Sequence, residues 1–189
     1  QSARTLAEMD TSNAGYRAQL AEVELEVGNY DTAAHLFAGV AREADKPAIA
    51  ARLARWNETP GHLPRGTALL RRTAERLTRV TGLPGEQVAW FHYRVGELEM
   101  RAGHLEAADS AFHRALAVYP GDYRALGALA RLAATQGEWR SAVDQGARAV
   151  AVQLDPATLG TMSEAYAALG DTVQARSFAD AMAASALSE

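Results

Sequence analysis

The chain is predicted to be all-α, built from successive antiparallel helix pairs stacked as a solenoid, and three observations carry that prediction. Five glycines, Gly28, Gly61, Gly103, Gly137 and Gly170, stand in the same local context at separations of 33, 42, 34 and 33 residues. A pattern recurring at about 34 residues has the length of one helix-turn-helix unit. Apolar and small residues return at helical spacing on both sides of each glycine, as Leu126, Leu129, Ala130 and Ala133 do before Gly137 and Ala142, Ala149 and Val150 after it. Alanine is abundant, has the best intrinsic helix propensity and lets paired helices approach closely.

The elements follow in order. Residues 1–13, with Ala3, Leu6, Ala7 and Met9 ahead of Asp10-Thr11-Ser12-Asn13, read as a helix and turn, half of a repeat. Residues 14–46 form the first full unit, with the turn Gly28-Asn29-Tyr30-Asp31-Thr32-Ala33 followed by Phe37. Residues 47–85 form a degenerate second unit, in which Ala50, Leu53, Ala54 and Trp56 precede a turn crowded by Pro60, Gly61 and Pro64. Its second helix, through Leu70, Ala74 and Leu77, is expected to run long, toward the breakers Gly82-Leu83-Pro84-Gly85. Gly66 lies early in that helix, where an interior glycine costs about 1 kcal/mol relative to alanine, so this unit is the expected soft spot. Residues 86–121, 122–155 and 156–189 are the third, fourth and fifth units. In the fourth, Gly146 stands where the third has Phe112, so that contact must be filled from elsewhere. Phe178, Ala179, Met182, Ala183 and Leu187 keep an apolar stripe to the end of the fifth unit, and neither end reads as capped.

The third unit carries Trp90-Phe91-His92-Tyr93-Arg94-Val95-Gly96-Glu97-Leu98, then Gly103-His104-Leu105-Glu106-Ala107-Ala108, Phe112, Ala115, Leu116, Tyr119 and Pro120. This resembles the tetratricopeptide repeat, with Val95-Gly96 where the family has Leu-Gly, then its Ala-x3-Phe and closing proline. The resemblance spans about residues 14 to 187 and implies a right-handed α-solenoid. It also implies a protein- or peptide-interaction module that holds an extended segment in the groove lined by first helices. The alternative reading is a structural scaffold or self-associating repeat segment of a larger protein, stacking through uncapped ends.

Composition narrows the classes. A formal net charge of −4 and a pI near 5.8 speak against general nucleic-acid binding, which needs clustered positive charge. The absence of cysteine removes disulfides, thiol nucleophiles and thiolate metal sites. No apolar run reaches the roughly 18 residues of a membrane span, so a soluble chain is expected, with the cytoplasm favoured over export. Because it begins at Gln1, the chain is expected to be trimmed, processed or part of something longer.

No catalytic set, metal site or cofactor site is expected, and the chain is read as a non-enzyme. His35, His62, His92, His104 and His113 include no His-Glu-x-x-His motif. Asp109 and His113 read as a surface pair four residues apart, and Ser110 has no nucleophile elbow around it. Glycine spacing offers no phosphate loop.

The family's groove positions map onto Trp90, Tyr93 and Glu97 in the third unit, Arg124, Gly127 and Arg131 in the fourth, and Gly160 and Glu164 in the fifth. Trp90 and Tyr93 are expected to offer aromatic surface, Arg124 and Arg131 to hold a carboxylate, and Gly127 and Gly160 to leave space for a ligand backbone. The competing expectation pairs Arg131 internally with Glu97 or Glu164. The lysine and asparagine clamp of chaperone-tail binders has no counterpart, since Lys46 lies beside Pro47 in a turn. Finally, Arg71-Arg72-Thr73-Ala74-Glu75-Arg76-Leu77-Thr78-Arg79 is the densest positive run. It reads as a solvated outer face with Leu70, Ala74 and Leu77 turned inward and Glu75 placed to pair with Arg71 or Arg79.

Overall fold

A computed structural model describes residues 13–58 and 63–186. Residues 1–12 of the expected partial repeat, together with Pro60, Gly61 and Leu187, lie outside them. The described residues hold ten α-helices, one 3-10 turn at Ala41–Glu43 and no strand. The chain divides into two compact units, Gln1–Thr81 and Gly82–Glu189.

One turn is used four times. At Gly28, Gly103, Gly137 and Gly170 the backbone leaves a helix with φ of +84°, +80°, +75° and +83°. A residue with a β-carbon is strained there, which is why glycine recurs. The next residue's N–H reaches back to a carbonyl in the last turn of the helix, as in Asn29 to Glu24 at 2.8 Å and His104 to Glu99 at 2.9 Å. In these two turns the side chains repeat the link: Asn29 Nδ2 donates to Glu24 Oε2 at 2.7 Å, and His104 Nδ1 lies 2.8 Å from Glu99 Oε2. Both glutamates are buried, so each turn also satisfies a carboxylate inside the helix pair.

The first unit comprises α1 (Ala14–Glu26), α2 (Tyr30–Val40), α3 (Pro47–Trp56) and α4 (Leu63–Thr78). Asn13 caps α1 by accepting from the N–H groups of Gly15 and Tyr16, and Pro47 opens α3 where its missing donor costs nothing. Ala18, Ala21, Ala33, Phe37, Val40, Ile49 and Leu53 form the core, with Phe37 stacked on Trp56 at 5.5 Å. Gly66 is not merely a weak helix residue. It is buried, and a β-carbon there would sit 2.9 Å from the Ala54 carbonyl oxygen, so its absence lets α4 pack on α3.

The second unit comprises α5 (Gly85–Arg101), α6 (Leu105–Val118), α7 (Tyr123–Thr135), α8 (Trp139–Val150), α9 (Pro156–Ala168) and α10 (Thr172–Ala186). These pair as α5 with α6, α7 with α8 and α9 with α10, while α7 also packs against α5, α6 and α9. Its sequence suits that position, because every residue from Ala125 to Ala130 is buried and most are alanine or glycine. Within pairs and between them the fit is close. A β-carbon on Gly96 would run into the Phe112 ring, and one on Gly146 into the sulfur of Met162. Met162, from the following unit, therefore fills the place that Phe112 takes in the third. Phe178, read as an uncapped end residue, has an internal partner instead: it stacks on Tyr166 at 5.5 Å and 8°.

Gly96→Ala is expected to destabilise the chain by about 1–3 kcal/mol, the usual range for overpacking. Phe112→Leu in the same chain should recover part of that loss. Urea denaturation of the two single variants and the double checks this, and simple additivity of the two changes would contradict the contact.

Candidate functional site

Within the second unit, α5 supplies Trp90, Tyr93 and Glu97, α7 supplies Arg124, Gly127 and Arg131, and α9 supplies Gly160 and Glu164. The structure joins two of them directly. Arg131 Nη2 donates to Glu97 Oε1 at 2.5 Å, across 34 residues of sequence, and Arg94 Nη1 lies 3.8 Å from Glu97 Oε2. A corresponding pair occurs separately in the first unit, where Glu22 of α1 meets Arg55 of α3 at 2.9 Å and Arg52 at 3.2 Å. In each unit an acid on one first helix is thus tied to arginine on the next.

The remaining residues are placed differently from the expectation. Arg124 is claimed by Asp122: its Nε and Nη2 lie 3.0 and 3.1 Å from the two carboxylate oxygens, in a fork. Asp122 is fully buried and also caps α7, accepting from the N–H groups of Arg124 and Ala125. Arg124 further stands 5.6 Å from the Tyr123 ring centre and 3.6 Å from Glu86. Gly127 and Gly160 are not openings for a ligand backbone. Gly127 is buried with the Thr158 hydroxyl in the space a β-carbon would take, and at Gly160 the Met182 sulfur stands 3.1 Å from that point. Glu164 is exposed and enters no ion pair among the described residues.

The aromatic surface is partial. Trp90 is half-buried and packs edge-on against Phe91 at 4.9 Å and 88°. Tyr93 is half-buried against the cluster of Ala108, Phe112, Ala128, Leu129 and Leu132. Burial pushes the Tyr93 phenol up to about 12, with the charge of Glu97 and a hydrogen bond to it acting in the same direction. What faces outward is therefore an aromatic rim beside the Glu97–Arg131 pair. That pair is partly exposed, with side-chain exposures of 22% and 31%, and such pairs contribute about 0–1 kcal/mol, so an incoming polar group can rearrange it at small cost. The Asp122–Arg124 fork is different, because releasing Arg124 would strand a buried carboxylate.

Sequence reading missed Asp122, Glu86 and Arg94. Asp122 was detectable: an aspartate directly before a helix start is a capping residue, and one two positions ahead of an arginine competes for it. Among the described residues there is no group of three His, Cys, Asp or Glu placed to hold a metal, and no helix is long and apolar enough to cross a membrane.

These features define the class: an all-α, tetratricopeptide-like solenoid of antiparallel helix pairs. No protein-family model matches the chain, and no curated protein matches it. Its fold is similar to solved structures. BtubC (BKLC) from P. vanneervenii superposes with a TM-score of 0.73 at 19% identity, over 95% of this chain and 84% of that one. PilW, described as a widely conserved type IV pilus biogenesis factor, gives 0.74 at 18% identity, over 93% and 79%. MamA gives 0.67 at 15% identity, over 89% of each chain.

Tyr93 provides a spectroscopic handle. Its folded-state value lies above the ordinary 10, so the protonated phenol contributes stability that is fully present below pH 10 and is lost as pH rises through about 12. In an absorbance titration at 295 nm, the Tyr93→Phe variant should lack the phase nearest pH 12, and Glu97→Gln should move that phase down. An unchanged curve in both variants would contradict the assigned environment.

Proposed function

We propose that this chain is a protein-interaction module that holds an extended peptide segment against the first-helix face of its second unit, with five helix pairs at 14–46, 47–85, 86–121, 122–155 and 156–189. The observation that carries the proposal is the rim of Trp90 and Tyr93 beside the displaceable Glu97–Arg131 pair. An apolar side chain of the peptide lies on the two rings, and its backbone or a carboxylate engages the ion pair. Arg124, held by Asp122, positions the start of α7 rather than the ligand. The solved structures support the fold this reading rests on.

A second reading, a scaffold or self-associating segment, is favoured by apolar side chains left in solvent on the last pair. Leu169 is 43%, Val173 77% and Met182 38% exposed. Sedimentation velocity over a wide concentration range tests it. Concentration-dependent association relieved by Val173→Glu supports this reading, and a strict monomer removes it.

For the first reading, peptides selected on the full chain from a randomised library provide the probe. Trp90→Ala should weaken an apolar peptide at least tenfold, in keeping with the roughly 2 kcal/mol of an aromatic hot spot, with little change in salt dependence. Arg131→Ala should weaken it and reduce its salt dependence, since screening acts on charge. Arg140→Ala, on exposed α8 surface, is the control. Loss confined to the control would remove the assignment.

A further inference from the structure

The arginines of the first-helix faces are neutralised within the fold, and the ones that are not lie elsewhere. Arg55, Arg124 and Arg131 each meet a carboxylate at 2.5 to 3.1 Å. Two arginines of α4, Arg72 and Arg76, differ. Arg76 donates its Nη2 to the backbone carbonyl of Asp45, which holds the guanidinium without cancelling its charge. Arg72, one turn earlier, takes no hydrogen bond or ion pair among the described residues. Glu75, expected to pair with Arg71 or Arg79, likewise enters no ion pair among them.

These two arginines border a cleft of about 300 Å³ between the turn at Ala44 and Asp45 and the face of α4 formed by Leu69, Arg72, Thr73 and Arg76. The spacing of three, one and three residues puts those four on one side of the helix. Leu69 is half-buried against the core and, with Ala44, makes the floor apolar. The Thr73 hydroxyl donates to the Leu69 carbonyl at 3.0 Å, so its oxygen is left as an acceptor. Asp45 stands at the rim, and its carboxylate pairs with neither arginine.

We infer that this cleft docks an acidic peptide segment of a partner protein, taking an aliphatic side chain on Leu69 and Ala44 and a carboxylate between Arg72 and Arg76. Charge complementarity selects the acid, because guanidinium and carboxylate form charge-assisted hydrogen bonds in matching planar geometry. Concavity selects a peptide: a cleft of about 300 Å³ with an apolar base takes neighbouring side chains of one segment, and a lipid headgroup layer requires neither the concavity nor the apolar base. This site is distinct from the first-helix face proposed above, and the two stand or fall separately.

The test uses the full chain and a displayed library of randomised decapeptides. The unaltered chain should enrich sequences with Asp or Glu next to an aliphatic residue, and Arg72→Gln should abolish that enrichment. Because the exposed Arg72 side chain enters no hydrogen bond or ion pair among the described residues, its loss separates charge from folding, and circular dichroism of the variant confirms the helix content. By fluorescence anisotropy, an enriched acidic peptide should bind at least tenfold more weakly to Arg72→Gln, more tightly to Asp45→Asn, and unchanged to Trp90→Ala. Absence of acidic enrichment, enrichment that survives Arg72→Gln, or a loss that follows Trp90→Ala would overturn the assignment. So would Arg72-dependent binding of phosphatidylserine vesicles without binding of acidic peptides.

Discussion

Close approach of helices, within a pair and between neighbouring pairs, at residues that lack a side chain is the constraint on which the rest of this structure depends. Gly96 admits the ring of Phe112, Gly146 the sulfur of Met162, Gly127 the hydroxyl of Thr158, and Gly66 the backbone of α3. A single helix pair has too little apolar surface to be stable alone, so each must bury its face on a neighbour. Interlocking a large side chain with a vacant position does this with short helices of 10 to 17 residues. It also fits the alanine-rich sequence: with helices this close, many interior positions hold a methyl group, Ala18, Ala33, Ala108 and Ala142 among them.

The second constraint is the turn. A left-handed glycine after each of four first helices reverses the chain while satisfying the helix-end carbonyls. The same step places an acid of one first helix opposite arginine on the next, in Glu22–Arg55 and in Glu97–Arg131. Fold and surface chemistry are coupled through the repeat length, since residues 33 or 34 apart face one another when successive first helices pack side by side.

The fold was legible in the sequence because it rests on local signals: turn glycines recurring about every 34 residues and small residues at helical spacing. The inward set of α4, Leu70, Ala74 and Leu77, was read from periodicity alone and is buried. The candidate site was less legible. Which residues share a helix face follows from spacing, but which charges remain free depends on partners from other elements. Arg124 was read as available although Asp122, two residues away, holds it in a fork. Gly127 was read as an opening although Thr158, from another helix, occupies the space. The pairing of Arg131 with Glu97 was foreseen as one of two alternatives, and only packing geometry chose between them.

The filling of the Gly146 notch by Met162 has a chemical consequence. Met162 is 1% exposed, whereas Met182 is 38% exposed. A thioether locked in such a notch is shielded from peroxide as long as α8 and α9 stay together. Its oxygenation would add a polar atom to a space with no room for it, so sulfoxide at Met162 marks molecules in which that interface has opened, and those molecules are hindered from closing again. Met182 oxidises without any such opening, giving two sulfur atoms in one unit that respond to solvent and to unfolding respectively.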